Sequence, residues 1–253
     1  MTAAGSSLGL DGKVAAVTGA SRGLGAAIAS KLCESGCHVV VNYAHDTAAA
    51  ESLVAALDGR KGTAVAVKAD ITGPDGVATV LEQARRRFGR LDVFVHNAAS
   101  WHPMSAIDNE PDAIHADIAA AIDPLLRAAA PLMELMASGG RVIAVSSNGA
   151  RAVLPHYVSL GLAKSALETL VRYLAVELAG NGIAVNAITT AKLDKGPETP
   201  GAELIPMLAA RTPAGRLTVP ADVADVVALL CAPEAAWIHG QVITVDGGFG
   251  LRA

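Results

Sequence analysis

Short apolar runs alternate along the chain with longer stretches of helical period. The runs are Val14–Thr18, His38–Asn42, Ala64–Lys68, Asp92–His96, Arg141–Ser146, Ile183–Ile188 and Val242–Val245. Most are continuously apolar and rich in β-branched residues, as strands buried on both faces of a parallel sheet are. Helical patterns lie between them, at Leu24–Ser35, Thr47–Leu57, Gly76–Phe88, Ala113–Met136, His156–Ala179 and Ala221–Leu230. This alternation predicts a single α/β domain over residues 1–253, with a doubly wound, parallel, seven-stranded sheet flanked by helices. One region breaks the rhythm. Thr189–Pro206 holds three prolines, two glycines and mixed charges, and the segment 189–211 reads as an irregular substrate-binding loop or lid.

Composition adds limits to this picture. Hydrophobic residues make up 52 % of the 253 and charged residues 17 %, so the chain can bury a large core. Aromatics are only 3 %, which leaves that core to Ala, Val, Leu and Ile. The net charge of −4 and the lack of a long basic cluster argue against a nucleic-acid partner. Arg85-Arg86-Arg87 reads as the solvated end of a helix. Cys33, Cys37 and Cys231 form no ligand cluster with histidines, so free thiols in a reducing compartment are expected and no metal site. Met1–Leu10 lacks the basic and long apolar regions of a signal peptide, and no stretch reads as membrane-spanning. The expected location is the cytoplasm.

Thr18-Gly19-Ala20-Ser21-Arg22-Gly23-Leu24-Gly25 joins the first strand to the first helix. Glycines there permit a tight turn, close approach of the backbone to a pyrophosphate and close helix–strand packing. The helix start adds free N–H groups and a dipole that favours phosphate. This places a dinucleotide in a Rossmann fold. The spacing T-G-x-x-x-G-x-G resembles the short-chain dehydrogenase/reductase family. So do Asp70-Ile71 after the third strand, Asn97-Ala98-Ala99 after the fourth and Gly240–Gly248 at the last strand and turn. The resemblance implies an adenine contact at Asp70 and Ile71, and cofactor contacts at Gly19, Ser21, Arg22, Gly23, Leu24, Gly25, Asn97 and Ala98.

The end of the second strand reads Val41-Asn42-Tyr43-Ala44-His45. An NAD-preferring site usually carries a carboxylate there for the ribose hydroxyls. None is present, and Asp46 comes too late. Arg22 stands where similar proteins use a base for the 2′-phosphate, while His45 replaces the arginine they often carry. The reading therefore favours NADP(H) over NAD(H), with Tyr43 and His45 among the cofactor contacts.

Most family members use Tyr-x3-Lys. Here Lys164 is preceded four residues earlier by Leu160, which has no proton to give. Tyr157 stands seven residues before Lys164, a rise of about 10.5 Å along a helix but still on one face. This Tyr-x6-Lys spacing resembles the enoyl-acyl-carrier-protein reductases, and Arg90–Val95 and Thr212–Arg216 resemble the NADPH-using type III enzyme. The resemblance implies hydride delivery to the C=C bond of an α,β-unsaturated thioester. Tyr157 would stabilise the enolate oxygen, and Lys164 would bind the ribose and lower the tyrosine pKa. Ser147 either contacts substrate or caps a strand end, and Ser146 is the next candidate.

Other positions depart from the family pattern. Its asparagine in the helix after the fourth strand is replaced by His115-Ala116-Asp117-Ile118. Its Pro-Gly after the sixth strand is missing, and Leu193 is the best match for the backbone contact to the nicotinamide amide. Lys192 and Lys195 fit cofactor phosphates or solvent equally. Trp101, His102 and Met104 are candidates for the substrate wall. The partner expected is a small-molecule or carrier-bound acyl substrate, and the resemblance implies a homotetramer. Carbonyl reduction by the same Tyr157 and Lys164, and a cofactor-binding protein without reductase activity, remain the alternatives.

Overall fold

A computed structural model describes residues 8–199 and 201–251. The expected domain of residues 1–253 thus includes residues 1–7, 200, 252 and 253, which lie outside the described set. The strands are β1 (Val14–Val17), β2 (His38–Tyr43), β3 (Thr63–Lys68), β4 (Val93–His96), β5 (Gly140–Val145), β6 (Ile183–Thr189) and β7 (Val242–Thr244). They form one seven-stranded sheet in the order β3-β2-β1-β4-β5-β6-β7, and every pairing is parallel. The helices are α1 (Gly23–Glu34), α2 (Thr47–Ala56), α3 (Gly76–Phe88), α4 (Pro111–Leu135), α5 (Val158–Leu178), α6 (Ile205–Arg211) and α7 (Pro220–Cys231).

Successive strand residues point to opposite faces, which splits the core in two. Val14 and Ala16 of β1, with Phe94 of β4, pack against α3, α4 and α5. Ala15 and Val17, with Val93 and Val95, pack against α1 and α7. Both faces are covered, which is why these strands read as unbroken apolar runs. The order reverses between β1 and β4. The crevice beyond their carboxyl ends is where such sheets bind ligands, and the glycine-rich turn opens onto it.

The expected irregular segment 189–211 is more ordered than its composition indicates. It contains single 3₁₀ turns at Gly196–Glu198 and Ala202–Leu204, followed by α6. Pro197 and Pro206 stand in the first turn of their helical pieces, where a missing N–H costs nothing. They start helices here, although along the sequence they look like breakers. Cys33, Cys37 and Cys231 are free and buried. Among the described residues, no helix is long and apolar enough to cross a membrane.

Candidate active site

The turn between β1 and α1 is shaped by its glycines. Gly19 and Gly23 have φ of 60° and 56°, a region costly for residues with a Cβ. A Cβ on Gly25 would lie 2.3 Å from the Gly19 carbonyl oxygen, so helix and turn could not approach as they do. A Cβ on Gly23 would meet nothing within 4 Å; the turn is open on that side. No side chain caps the start of α1, which leaves its first N–H groups for an anion.

Three polar residues hold the turn in place. The Thr18 hydroxyl accepts from the Asn97 and Ala98 N–H groups at 3.0 and 3.1 Å and lies 3.3 Å from His96 Nδ1. His96 Nε2 donates to the Ala121 carbonyl at 3.0 Å, so Nδ1 is the acceptor for the Thr18 hydroxyl. Complete burial keeps His96 neutral, with its pKa pushed down to about 3. Asn97 Nδ2 donates to the carbonyls of Thr18 and Gly19, each at 3.0 Å. From the other side, buried Asn42 accepts from the Gly19 N–H at 3.3 Å and donates to the Ala69 carbonyl at 2.9 Å. Asn42 and His96 had no assigned role in the sequence. A lone polar residue closing an apolar strand was their only signal.

The other expected cofactor contacts lie around this turn. Ser21 and Leu24 are half-buried, and Arg22 is exposed at the start of α1. Tyr43 is buried at the end of β2, with His45 exposed beyond it. Asp70 is exposed; it accepts from the Thr72 N–H and hydroxyl, which hold its carboxyl below the usual range. Ile71 is buried in the core.

At the carboxyl end of β5 the structure brings Ser147 and Tyr157 together. The Tyr157 hydroxyl donates to Ser147 Oγ at 3.0 Å, and Ser147 also accepts from the Gly149 N–H at 3.2 Å. Ser147 therefore serves both as a cap and as a partner of the tyrosine. Ser146 does not join them; it is buried and donates to Glu168 at 2.8 Å. Leu160 is 8 % exposed and packs in the core, so the position four before Lys164 is a core residue.

Two expectations about this pair need correction. Tyr157 is the N-cap of α5 and not a residue on its face, and it follows His156, whose φ is +55°. The phenol is aimed by the loop before the helix. Gly149 makes this possible, since a Cβ there would lie 2.4 Å from Tyr157 Cε1. Lys164 also does not lower the tyrosine pKa. Burial raises Tyr157, and its Ser147 bond opposes that only in part. Lys164, 4 % exposed, donates to the Val145 carbonyl at 2.7 Å, and burial pulls its pKa down to about 8.

Trp101, His102 and Met104 all gather near Tyr157. The Trp101 and Tyr157 rings lie 5.5 Å apart with a 51° tilt. His102 and Ser100 bond to Asp117, and the Met104 N–H donates to the His156 carbonyl at 3.2 Å. A cavity of about 530 Å³ adjoins the phenol, with Met104, Leu154, Val158 and Leu162 among its walls. Beyond β6, Leu193 pairs with Thr218, and Lys192 and Lys195 are half-buried and exposed. The Thr189 and Thr190 hydroxyls are buried without a hydrogen-bond partner among the described residues. Polar atoms left so are rare, and here they sit at the sheet's carboxyl edge. Together with the uncapped α1 and the open face at Gly23, they fit a dinucleotide with a polar carboxamide end.

Comparison with known proteins agrees. Residues 19–250 match the family model described as enoyl-(acyl carrier protein) reductase. The chain is 36 % identical over 246 residues to the 1-cyclohexenylcarbonyl-CoA reductase of Streptomyces collinus, covering 95 % of this chain and 88 % of that one. It is 37 % identical over 254 residues to the versicolorin reductase of Emericella nidulans, covering 94 % and 97 %. Among solved structures, the angucycline C-6 ketoreductase LanV with bound NADP matches with a TM-score of 0.87 at 33 % identity, over 96 % of this chain and 97 % of that one. The chain belongs to the short-chain dehydrogenase/reductase superfamily, in its enoyl-(acyl carrier protein) reductase-like family. It is an enzyme, a reductase that uses a nicotinamide cofactor.

Proposed function

We propose that this enzyme reduces the C=C bond of an α,β-unsaturated thioester, carried on coenzyme A or a carrier protein, with NADPH. The observation that carries this reading is the phenol of Tyr157. It stands at the sheet's carboxyl edge beside Ser147 and an apolar cavity, while Leu160 is locked in the core. The bound cofactor supplies the hydride. Residues of the glycine turn hold its phosphates: Gly19, Ser21, Gly23, Leu24 and Gly25 through the backbone and helix start, Arg22 through its charge. Tyr43, His45, Asp70 and Ile71 border the adenosine end. Asn97, Ala98, Lys164 and Leu193 border the nicotinamide end. The raised pKa of Tyr157 keeps its proton at neutral pH, so it donates a hydrogen bond to the developing enolate oxygen. Ser147 holds the hydroxyl until substrate arrives.

NADPH is preferred because no carboxylate ends β2, and the NADP-bound LanV supports this choice. Residues 189–211, apart from Pro200 outside the described set, form the substrate-side lid and expose Leu204 and Met207. Exposed Leu126, Tyr173 and Val176 on α4 and α5 support helix pairing in a homotetramer. A second reading is carbonyl reduction, favoured by the Ser147–Tyr157 bond, which suits a ketone oxygen, and by the likeness to LanV. Crotonyl and acetoacetyl thioesters distinguish the two when NADPH loss is followed and products are identified. Saturated product from the crotonyl substrate supports the first reading, and turnover of only the keto substrate supports the second. Binding of NADPH with no turnover of either, unchanged by Tyr157→Phe, removes both.

A further inference from the structure

Asp117 lies in the second turn of α4 with its side chain 0 % exposed. A buried carboxylate is costly unless its oxygens are filled by donors. Three donor bonds come from one short stretch of chain, and the Ser159 hydroxyl at the start of α5 adds to them. Ser100 Oγ reaches Oδ1 at 2.6 Å, His102 Nδ1 reaches Oδ1 at 2.8 Å, and the His102 N–H reaches Oδ2 at 2.9 Å. These bonds grip the chain on both sides of Trp101. The same stretch is tied to the start of α5, on either side of Tyr157. Ser159 Oγ donates to the His102 carbonyl at 2.7 Å, and the Met104 N–H donates to the His156 carbonyl. Trp101 is thus held between two helices with its ring against that of Tyr157, and it remains 49 % exposed. The bonds stop at the backbone and at the neighbours of Trp101. They therefore set where the indole goes without covering it.

We infer that Asp117 is a positioning residue that fixes Trp101 across the phenol of Tyr157, and that the exposed indole is the wall on which a flat, conjugated acyl group of the substrate packs. The second half rests on the thioester reading; the first half does not.

Trp101 and Trp237 are the chain's two tryptophans, and Trp237 is 96 % exposed. In a Trp237→Phe background, fluorescence therefore reports Trp101 alone. Asp117→Ala should shift that emission to the red and make it easier to quench with acrylamide. For a ring-bearing enoyl thioester such as cyclohexenylcarbonyl-CoA, Asp117→Ala should raise KM about tenfold, the scale of one lost aromatic packing contact. The dissociation constant for NADPH should stay the same. Trp101→Leu should reproduce the KM change, and adding Asp117→Ala to it should bring no further rise. Emission and quenching unmoved in folded Asp117→Ala overturn the clamp, and KM changes that multiply overturn the link to Trp101. If Asp117→Ala does not fold, His102→Ala, which removes a half-exposed side chain, carries the same predictions. If the wild-type enzyme reduces no thioester, the functional reading fails, while the fluorescence result still decides the clamp.

Discussion

Lys164→Met should make the cofactor-free protein more stable while abolishing its use of cofactor. Lys164 is almost fully buried, and burial is what shifts its pKa. Its ammonium has the Val145 carbonyl at 2.7 Å. Burial takes the pKa from 10.5 to about 8. At neutral pH, holding that charge costs the folded state about 3 kcal/mol relative to the unfolded chain. Methionine fills similar volume without a charge but leaves the Val145 carbonyl without its donor, a loss of about 1 kcal/mol. The net gain is about 2 kcal/mol at pH 7. The pH dependence has a definite sign. Between pH 8 and 10.5 the unfolded chain holds a proton on Lys164 that the folded chain has lost. Wild-type stability therefore rises with pH across that window, and the advantage of the variant shrinks. Urea unfolding of both proteins at pH 7 and 9.5, with NADPH titration alongside, checks this. A variant less stable than wild type at pH 7, or an advantage that grows with pH, would show that burial does not penalise the Lys164 charge.

Three further outcomes are expected. Gly149→Ala places a Cβ 2.4 Å from Tyr157 Cε1, so the ring must turn away; kcat should fall by about tenfold or more, with NADPH affinity unchanged by fluorescence titration. His96 stays neutral down to about pH 3, whereas the unfolded chain protonates it near 6.5. Wild-type stability should therefore fall by about 2 kcal/mol between pH 6.5 and 4.5, and His96→Asn should flatten that slope in thermal melts. Arg22→Ala should weaken NADPH binding about tenfold and leave NADH binding unaltered, as expected for loss of a single charged phosphate contact.

Much of this was legible along the chain because it is local. The strand runs, the glycine turn and the Leu160 substitution each show within a few residues. The conformation of Tyr157 was not legible in this way. Helical spacing put it on a face with Lys164, but the helix begins one residue later and the preceding His156 is left-handed. Gly149, from a separate turn, decides where the ring can lie. The prolines at 197 and 206 misled for another reason, since the same residue that breaks a helix interior is suited to its first turn. Asn42, His96 and Asp117 hold the site through bonds to residues distant in sequence. A single polar letter in an apolar run gives no hint of its partner.

On the enoyl-reductase reading, Tyr157 serves hydride delivery to a carbon–carbon double bond. NADPH carrying deuterium at both C4 positions, incubated with enzyme and crotonyl-CoA, follows that hydride into the product. Butyryl-CoA with deuterium at C3 is expected, and almost none of it from Tyr157→Phe. No labelled butyryl-CoA, together with deuterium on the hydroxyl-bearing carbon when acetoacetyl-CoA is supplied instead, would contradict it.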